Sequence, residues 1–288
     1  MKITVLGAAG QIGAYLTEYL EEKGHTVFAI DKVLDPQWHD LTMHNNAYLL
    51  EKIIDSDFVF FLAFAVGGSR YLKKYQHTYD FIAENTKMMA NVFQMLHDHK
   101  KKFVFASSQM SNMNYSPYGV CKRMGELYTK TLNGRIVKFW NVYGVEKDPE
   151  KSHVITDLIR KGFEETKVTM LTDGTEERQF LYAEDCCEAL ETVMECYDDF
   201  SVDDPLHITS FRSDTIKTVA ATIVGQFHIH GMYNVDIQPG EGKDTVQMDK
   251  KNQADTHILQ WWVPKTGIHV GIKKVFDEMK KEYLNAVS

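Results

Sequence analysis

Tyr118 and Lys122 stand four residues apart in Tyr118-Gly119-Val120-Cys121-Lys122, and Ser108 lies ten residues upstream. Ser116 is a suitable N-cap and Pro117 suits the first helical position, which puts Tyr118 in a first helical turn. Lys122 then shares its face. A phenol is a weak base near neutral pH because its ordinary pKa is ~10. Bringing it to ~7 takes roughly 4 kcal/mol in favour of the phenolate, at ~1.36 kcal/mol per unit. One exposed ion pair supplies ~1 kcal/mol at most. The pair can act as a base only in a partly buried setting where a second positive charge joins the lysine. Outside such a setting, a tyrosine and a lysine at this spacing are a surface pair with no shared role.

The N-terminus indicates where that second charge comes from. Ile3-Thr4-Val5-Leu6 reads as a short apolar strand, and it runs into Gly7-Ala8-Ala9-Gly10-Gln11-Ile12-Gly13. Glycines at this spacing serve a tight turn, backbone access to a pyrophosphate and close packing of helix on strand. The phosphates would rest on free N–H groups at the positive end of the helix. A second strand, Thr26 to Ile30, ends at Asp31, roughly 20 residues past the loop, where an acid accepts hydrogen bonds from ribose hydroxyls. Its charge repels a 2′-phosphate, so the site favours NAD over NADP, a preference softened by Lys32. The oxidised nicotinamide ring is the second cation that Tyr118 needs.

These residues need a scaffold, and the rest of the first half supplies one. Helix-like Asn46 to Ile54, Asp80 to His97 and Pro117 to Leu132 alternate with strand-like Phe58 to Phe64, Phe103 to Ala106 and Arg135 to Phe139. Such β-α alternation with buried strands specifies an α/β fold with a doubly wound, mostly parallel sheet. Residues 1–145 are read as the cofactor-binding domain. Residues 146–288 are read as a smaller substrate-binding lobe, interleaved with late elements of the first domain's sheet near Gln179 to Tyr182 and Leu206 to Ile208. The segment from Lys273 to Leu284 is an amphipathic helix. His228 and His230 flank Ile229 in an alternating pattern that reads as a strand, and no partner at useful spacing makes them metal ligands. Trp261 and Trp262 read as core.

The chain has 288 residues, 44% of them hydrophobic and 25% charged, with a formal net charge of −8. That balance argues against a nucleic-acid surface and against an anionic membrane partner. Cys121, Cys186, Cys187 and Cys196 form no CxxC pair, so reduced, mostly buried thiols are expected. No secretory signal precedes Lys2, and the longest apolar run, Phe58 to Val66, is too short to span a bilayer. A cytoplasmic protein is expected.

Taken together, these motifs resemble the extended short-chain dehydrogenase/reductases, the group of nucleotide-sugar epimerases and dehydratases, over nearly the whole chain. The resemblance rests on Gly7/Gly10/Gly13, Asp31, Asp40-Leu41, Leu62-Ala63, Asn85, Ser107-Ser108 and Tyr118/Lys122. It continues through Asn141-Val142-Tyr143-Gly144, Arg178 to Asp185 and Trp262-Val263-Pro264-Lys265. It implies a Rossmann sheet and bound NAD, with Gly7, Gly10, Gln11, Ile12, Gly13, Asp31, Leu62 and Ala63 in the cofactor site and Asp40 and Leu41 at the adenine. Tyr118 would be the base, Lys122 the ribose anchor, and Ser108 the partner of the reacting sugar oxygen. Asn141, Arg178 and Lys243 would meet the nucleotide diphosphate of the sugar. Arg is apt there, since its planar fork makes paired bonds to phosphate. The resemblance also implies a homodimer through the helices near 80–97 and 117–132. Phe81, Met88, Val92 and Leu127 are compatible with that interface and equally with burial on the sheet.

Within that group, the 4,6-dehydratases place an Asp-Glu pair directly after the hydroxyl residue, where acid–base work expels water. Gln109 and Met110 stand there in this chain, and neither shuttles a proton. The glutamate of the glucuronate decarboxylases and the cysteine of the 3,5-epimerases are missing as well. The reading is therefore an NAD-dependent 4-epimerase of a nucleotide-diphosphate hexose acting through a 4-keto intermediate. The alternatives are a 4-keto-sugar reductase, a GDP-sugar-modifying enzyme (Val66-Gly67-Gly68 resembles that subgroup) and a non-catalytic NAD-binding regulatory module. The connection from Ser108 to Tyr118 is shorter than the family's, which leaves the cover of the sugar pocket unassigned.

Overall fold

The computed structural model describes residues 1–247 and 252–287. Its first half alternates strand and helix, with two helices between the third and fourth strands: β1 (Lys2–Leu6), α1 (Gln11–Glu22), β2 (Thr26–Ile30), α2 (Ala47–Asp55), β3 (Phe58–Phe61), α3 (Ser69–Tyr75), α4 (Tyr79–Asp98), β4 (Phe103–Ser108), α5 (Pro117–Thr131) and β5 (Arg135–Phe139). The second half runs β6 (Asn141–Tyr143), α6 (Val154–Glu165), β7 (Lys167–Thr169), β8 (Glu177–Tyr182), α7 (Ala183–Glu195), β9 (Leu206–Ile208), β10 (Ser213–Thr215), α8 (Ile216–Ile229), β11 (Asp236–Gln238) and α9 (Ile268–Val287).

Six strands make one sheet in the order β2-β1-β3-β4-β5-β9, and every neighbouring pair is parallel. A parallel sheet needs apolar cover on both faces, which explains the unbroken Phe58-Val59-Phe60-Phe61 run. Phe58 and Phe60 join Leu16, Leu20, Leu190 and Val193 on one face. Val59 and Phe61 join Leu49, Ile53, Val92 and Phe93 on the other. The order turns back between β1 and β3, and in open α/β sheets ligands settle outside the carboxyl ends at such a point. The glycine loop and Leu62-Ala63-Phe64 emerge there.

Local signals set the helix starts. The Asn46 side chain accepts from Leu49 N at 3.0 Å, Thr78 from Phe81 N at 3.3 Å and Ser116 from Gly119 N at 3.2 Å. Phe81, Met88 and Val92 of α4 are buried in the chain's own core, whereas Leu127 of α5 is exposed.

The structure departs from the sequence reading in three places. The strand expected over 58–64 ends at Phe61, and the next three residues form a loop against the glycine turn. The strand at Glu177–Tyr182 lies outside the main sheet, between β10 and β6 in a second, three-stranded sheet. His228 is not on a strand: it lies in the last turn of α8, with His230 as the C-cap. Thr215 caps that helix through Thr218 N at 3.1 Å. Burial of Ile216, Val219, Ala220, Ile223 and Phe227 follows the helical period, which overrides the short alternation around the histidines.

Among the described residues, no helix is long and apolar enough to cross a membrane. Nor do three or more His, Cys, Asp or Glu side chains gather to hold a metal ion. The four cysteines are free thiols.

Candidate active site

The cofactor half is built by backbone geometry. Gly7 has φ +92°, and a Cβ there would lie 2.7 Å from the Ala63 backbone. A Cβ on Gly13 would come within 2.0 Å of the Gly7 carbonyl oxygen. Only bare glycines allow the turn to pack this closely on the loop that follows β3 and on the first turn of α1. Asp31 at the end of β2 accepts from Ala9 N at 3.1 Å and from Val33 N at 2.9 Å. These bonds tie the acid to the glycine loop, where it would meet the ribose of a bound dinucleotide. Lys32 is drawn off into an ion pair with Glu84. Gln11 Nε2 is buried without a partner among the described residues, a donor that a bound cofactor would satisfy. Asp40 is turned back onto Thr42 N and Oγ1, both at 2.8 Å, and the buried Leu41 is fixed through its carbonyl by Asn91 at 3.1 Å. This constellation fits NAD.

Tyr118, Lys122 and Ser108 come together at the carboxyl end of β4, all largely buried. Burial dominates at Tyr118 and pushes the phenol up to about 12, while the neighbouring Ser108 hydroxyl works the other way. Burial also pulls Lys122 down to about 7, against Cys121 and Glu126, which support its charge. Its ammonium donates to the Ala106 carbonyl at 2.6 Å and sits 3.7 Å from the centroid of the Phe64 ring. The protein alone therefore holds the phenol protonated, and a further positive charge is required to ionise it.

One cavity is lined by Ser108, Tyr118, Asn141 and Arg178 together. Asn141 Nδ2 donates to the Gln179 carbonyl at 3.3 Å, and Arg178 Nη2 is paired with Asp244. Lys243 is not brought to this cavity. It is exposed, and its charge acts on Asp173. The short connection after Ser108 is covered from the far end of the chain: Gln109 Nε2 donates to Gln247 Oε1 at 3.0 Å, and Asn252 Nδ2 donates to the Gln109 carbonyl at 2.9 Å. Val246 is buried in the cluster that holds Met110 and Tyr118.

Two features of the site escape the sequence reading. His153, the N-cap of α6, lines the cavity, and its Nδ1 lies 2.7 Å from Glu146 Oε1. Burial works against charge on this imidazole, yet Glu146 outweighs it and raises the pKa above the ordinary value. The other feature is a buried charge cluster under Ser108. Glu126 of α5 accepts from Ser107 Oγ at 2.6 Å and pairs with Lys138 at 3.2 Å and Arg123 at 2.9 Å. Ser107 and Lys138 are register partners on β4 and β5, so this carboxylate fastens the Tyr/Lys helix to the strand end that carries Ser108.

Fold and site together mark a class, Rossmann-sheet proteins with Tyr, Lys and Ser gathered beside a cavity at the carboxyl ends of the strands. Comparison with known proteins agrees. The NAD dependent epimerase/dehydratase family model matches residues 3–208, and the chain belongs to that family. It is 29% identical over 233 residues to an uncharacterized UDP-glucose epimerase of Bacillus subtilis, covering 67% of this chain and 72% of that one. It is 26% identical over 229 residues to a UDP-N-acetyl-alpha-D-glucosaminuronate decarboxylase of Bacillus cytotoxicus, covering 66% and 70%. Among solved structures, the UDP-glucose 4-epimerase of Thermotoga maritima shares the fold with a TM-score of 0.78 at 20% identity, covering 98% of this chain and 99% of that one.

Proposed function

We propose that the protein inverts C4 of a nucleotide-diphosphate hexose by oxidising the 4-hydroxyl and reducing the resulting ketone from its other face. The observation that carries this reading is the convergence of Ser108 and Tyr118 on one cavity wall, with the Lys122 ammonium 5.8 Å from the centroid of the Tyr118 ring. NAD, when bound, supplies a hydride acceptor and donor and a positive ring. Tyr118 takes the proton from the sugar hydroxyl and later returns it. Ser108 holds the reacting oxygen in line with the phenol, and Lys122 opposes loss of negative charge from the tyrosinate. Asn141 and Arg178 steady the diphosphate end, Arg178 by exchanging part of its pairing with Asp244 for phosphate oxygens.

Gln109 and Met110, which follow Ser108, are incapable of eliminating water, and this supports simple epimerisation over dehydration. The His153–Glu146 pair supports a second reading, proton exchange at a carbon beside the transient ketone, because it places a titratable imidazole on the cavity wall. One experiment separates the two. The protein is incubated in D₂O with a panel of UDP-, GDP- and dTDP-sugars, and the products are followed by NMR. Inversion at C4 without carbon-bound deuterium supports the first reading, and deuterium at C3 or C5 supports the second. Silence across the panel, with NAD still bound, favours a regulatory module. We also infer a homodimer through α4 and α5, where Ile82, Val120 and Leu127 are exposed. Light scattering that reports a monomer at micromolar concentration refutes it.

A further inference from the structure

Phe64 has no role in the reaction described so far, yet it touches both partners of the proton-transfer pair. Its ring centroid lies 3.7 Å from the Lys122 ammonium, and its ring meets that of Tyr118 near-perpendicularly, at 80° and 5.7 Å between centroids. The backbone on either side of Phe64 is pinned. Leu62 N donates to the Leu6 carbonyl at 2.9 Å, and Ala65 is clamped by the fully buried Asn85, which accepts from Ala65 N at 2.8 Å and donates to Ala65 O at 3.3 Å. The ring is thus held by the main sheet through β1 and by α4. An ammonium has three N–H donors. In Lys122 one goes to the Ala106 carbonyl, and the nearest aromatic face to the rest of the cation is that of Phe64, with the Phe105 and Tyr118 centroids farther off at 5.3 and 5.8 Å.

We propose that Phe64 is a positioning residue: its ring grips the Lys122 ammonium and braces the Tyr118 ring, fixing the geometry of the pair before substrate and cofactor arrive. The proposal rests on the reading of Tyr118 and Lys122 as that pair. The ionisable groups acting on Lys122 are Cys121 and Glu126 of its own helix. Lys138 of β5 is turned to Glu126, and Glu84 of α4 is paired with Lys32. None of these substitutes for the ring face when it is removed.

The test follows the Lys122 ammonium directly, in protein labelled with ¹³C-lysine, its signal assigned by loss in Lys122→Met. The wild-type midpoint is expected at about 7. Phe64→Leu, which removes the π face, should lower it by about one pH unit, a tenfold change in acidity. Phe64→Tyr, which keeps the face, should restore it. If Phe64→Leu fails to give a cooperative melt, Phe64→Met takes its place with the same expectation. An unchanged midpoint in a folded variant without the ring overturns the proposal, as does a shift that Phe64→Tyr fails to restore. No substrate is involved, so the outcome is separate from the test of epimerisation. A shifted lysine together with a fully active Tyr118→Phe enzyme sinks the reaction reading and spares the contact.

Discussion

Replacing Glu126 by alanine is a severe perturbation whose size follows from the cluster under Ser108. The carboxylate is completely buried, and its partner Lys138 has a side chain only 6% exposed. Deleting one member of such a pair leaves an uncompensated buried charge, which destabilises by about 3–5 kcal/mol. Arg123 is half in solvent and adds little. For a chain of this size, each kcal/mol moves the midpoint by roughly 2–4 °C, so Glu126→Ala should melt on the order of 10 °C lower near pH 7.5. The double variant Glu126→Leu/Lys138→Met leaves no charge behind and should recover most of that loss. Burial opposes the Glu126 charge, but Lys138 and the hydrogen bonds from Ser107 hold its pKa below the ordinary value. Its contribution is therefore complete above the unfolded pKa of ~4.3 and disappears as pH falls through the depressed folded value. The gap between wild type and Glu126→Ala should close in acid. Urea titrations at several pH values measure all three effects. A loss under about 1 kcal/mol for Glu126→Ala, or a double variant as unstable as the single one, refutes the reasoning.

Three further outcomes are expected. Gly13→Ala drives a methyl to within 2.0 Å of the Gly7 carbonyl, so the loop must shift and NAD affinity should fall by about tenfold or more by calorimetry; an unchanged Kd contradicts the close-packing argument. Asp31→Ser removes the charge that opposes a 2′-phosphate, and the ratio of NADP to NAD affinity should rise by about tenfold; no change in the ratio places the adenosine ribose elsewhere. Glu146 raises the His153 pKa, so its stabilising effect is present below the unfolded imidazole value of ~6.5 and lost as pH rises through the raised folded one. Thermal melts should show Glu146→Gln most deficient in the acid range and close to wild type near pH 9.

The sheet was legible because its signals are local. Caps at Asn46, Thr78 and Ser116 begin helices where their side chains reach the third N–H along, and the phenylalanine-rich β3 is readable as a strand covered on both faces. The Tyr118, Lys122 and Ser108 set was legible for the same reason, since one helix and one strand end carry all three. Features made by long-range pairing were not. Glu126 meets Lys138 and Ser107 only because α5 lies across β4 and β5, and His153 meets Glu146 across an extended N-cap with no spacing signature. Phe64 looked like one more strand residue, because nothing in the run from Phe58 to Val66 marks where the ladder stops. The strand reading of His228 and His230 failed because three residues of alternation weigh less than four helical turns of apolar contacts. The bonding of Gln109 by Gln247 and Asn252 spans more than a hundred residues and has no local trace.

The central claim is that this protein keeps Tyr118 protonated by itself and ionises it when a second cation joins Lys122. The most direct measurement is the tyrosinate absorbance of wild type minus that of Tyr118→Phe, titrated with and without NAD. The account predicts a midpoint at about 12 for the protein alone and a fall of several units toward neutrality with oxidised NAD bound, reversed in the reduced form. The same midpoint in all three states contradicts it.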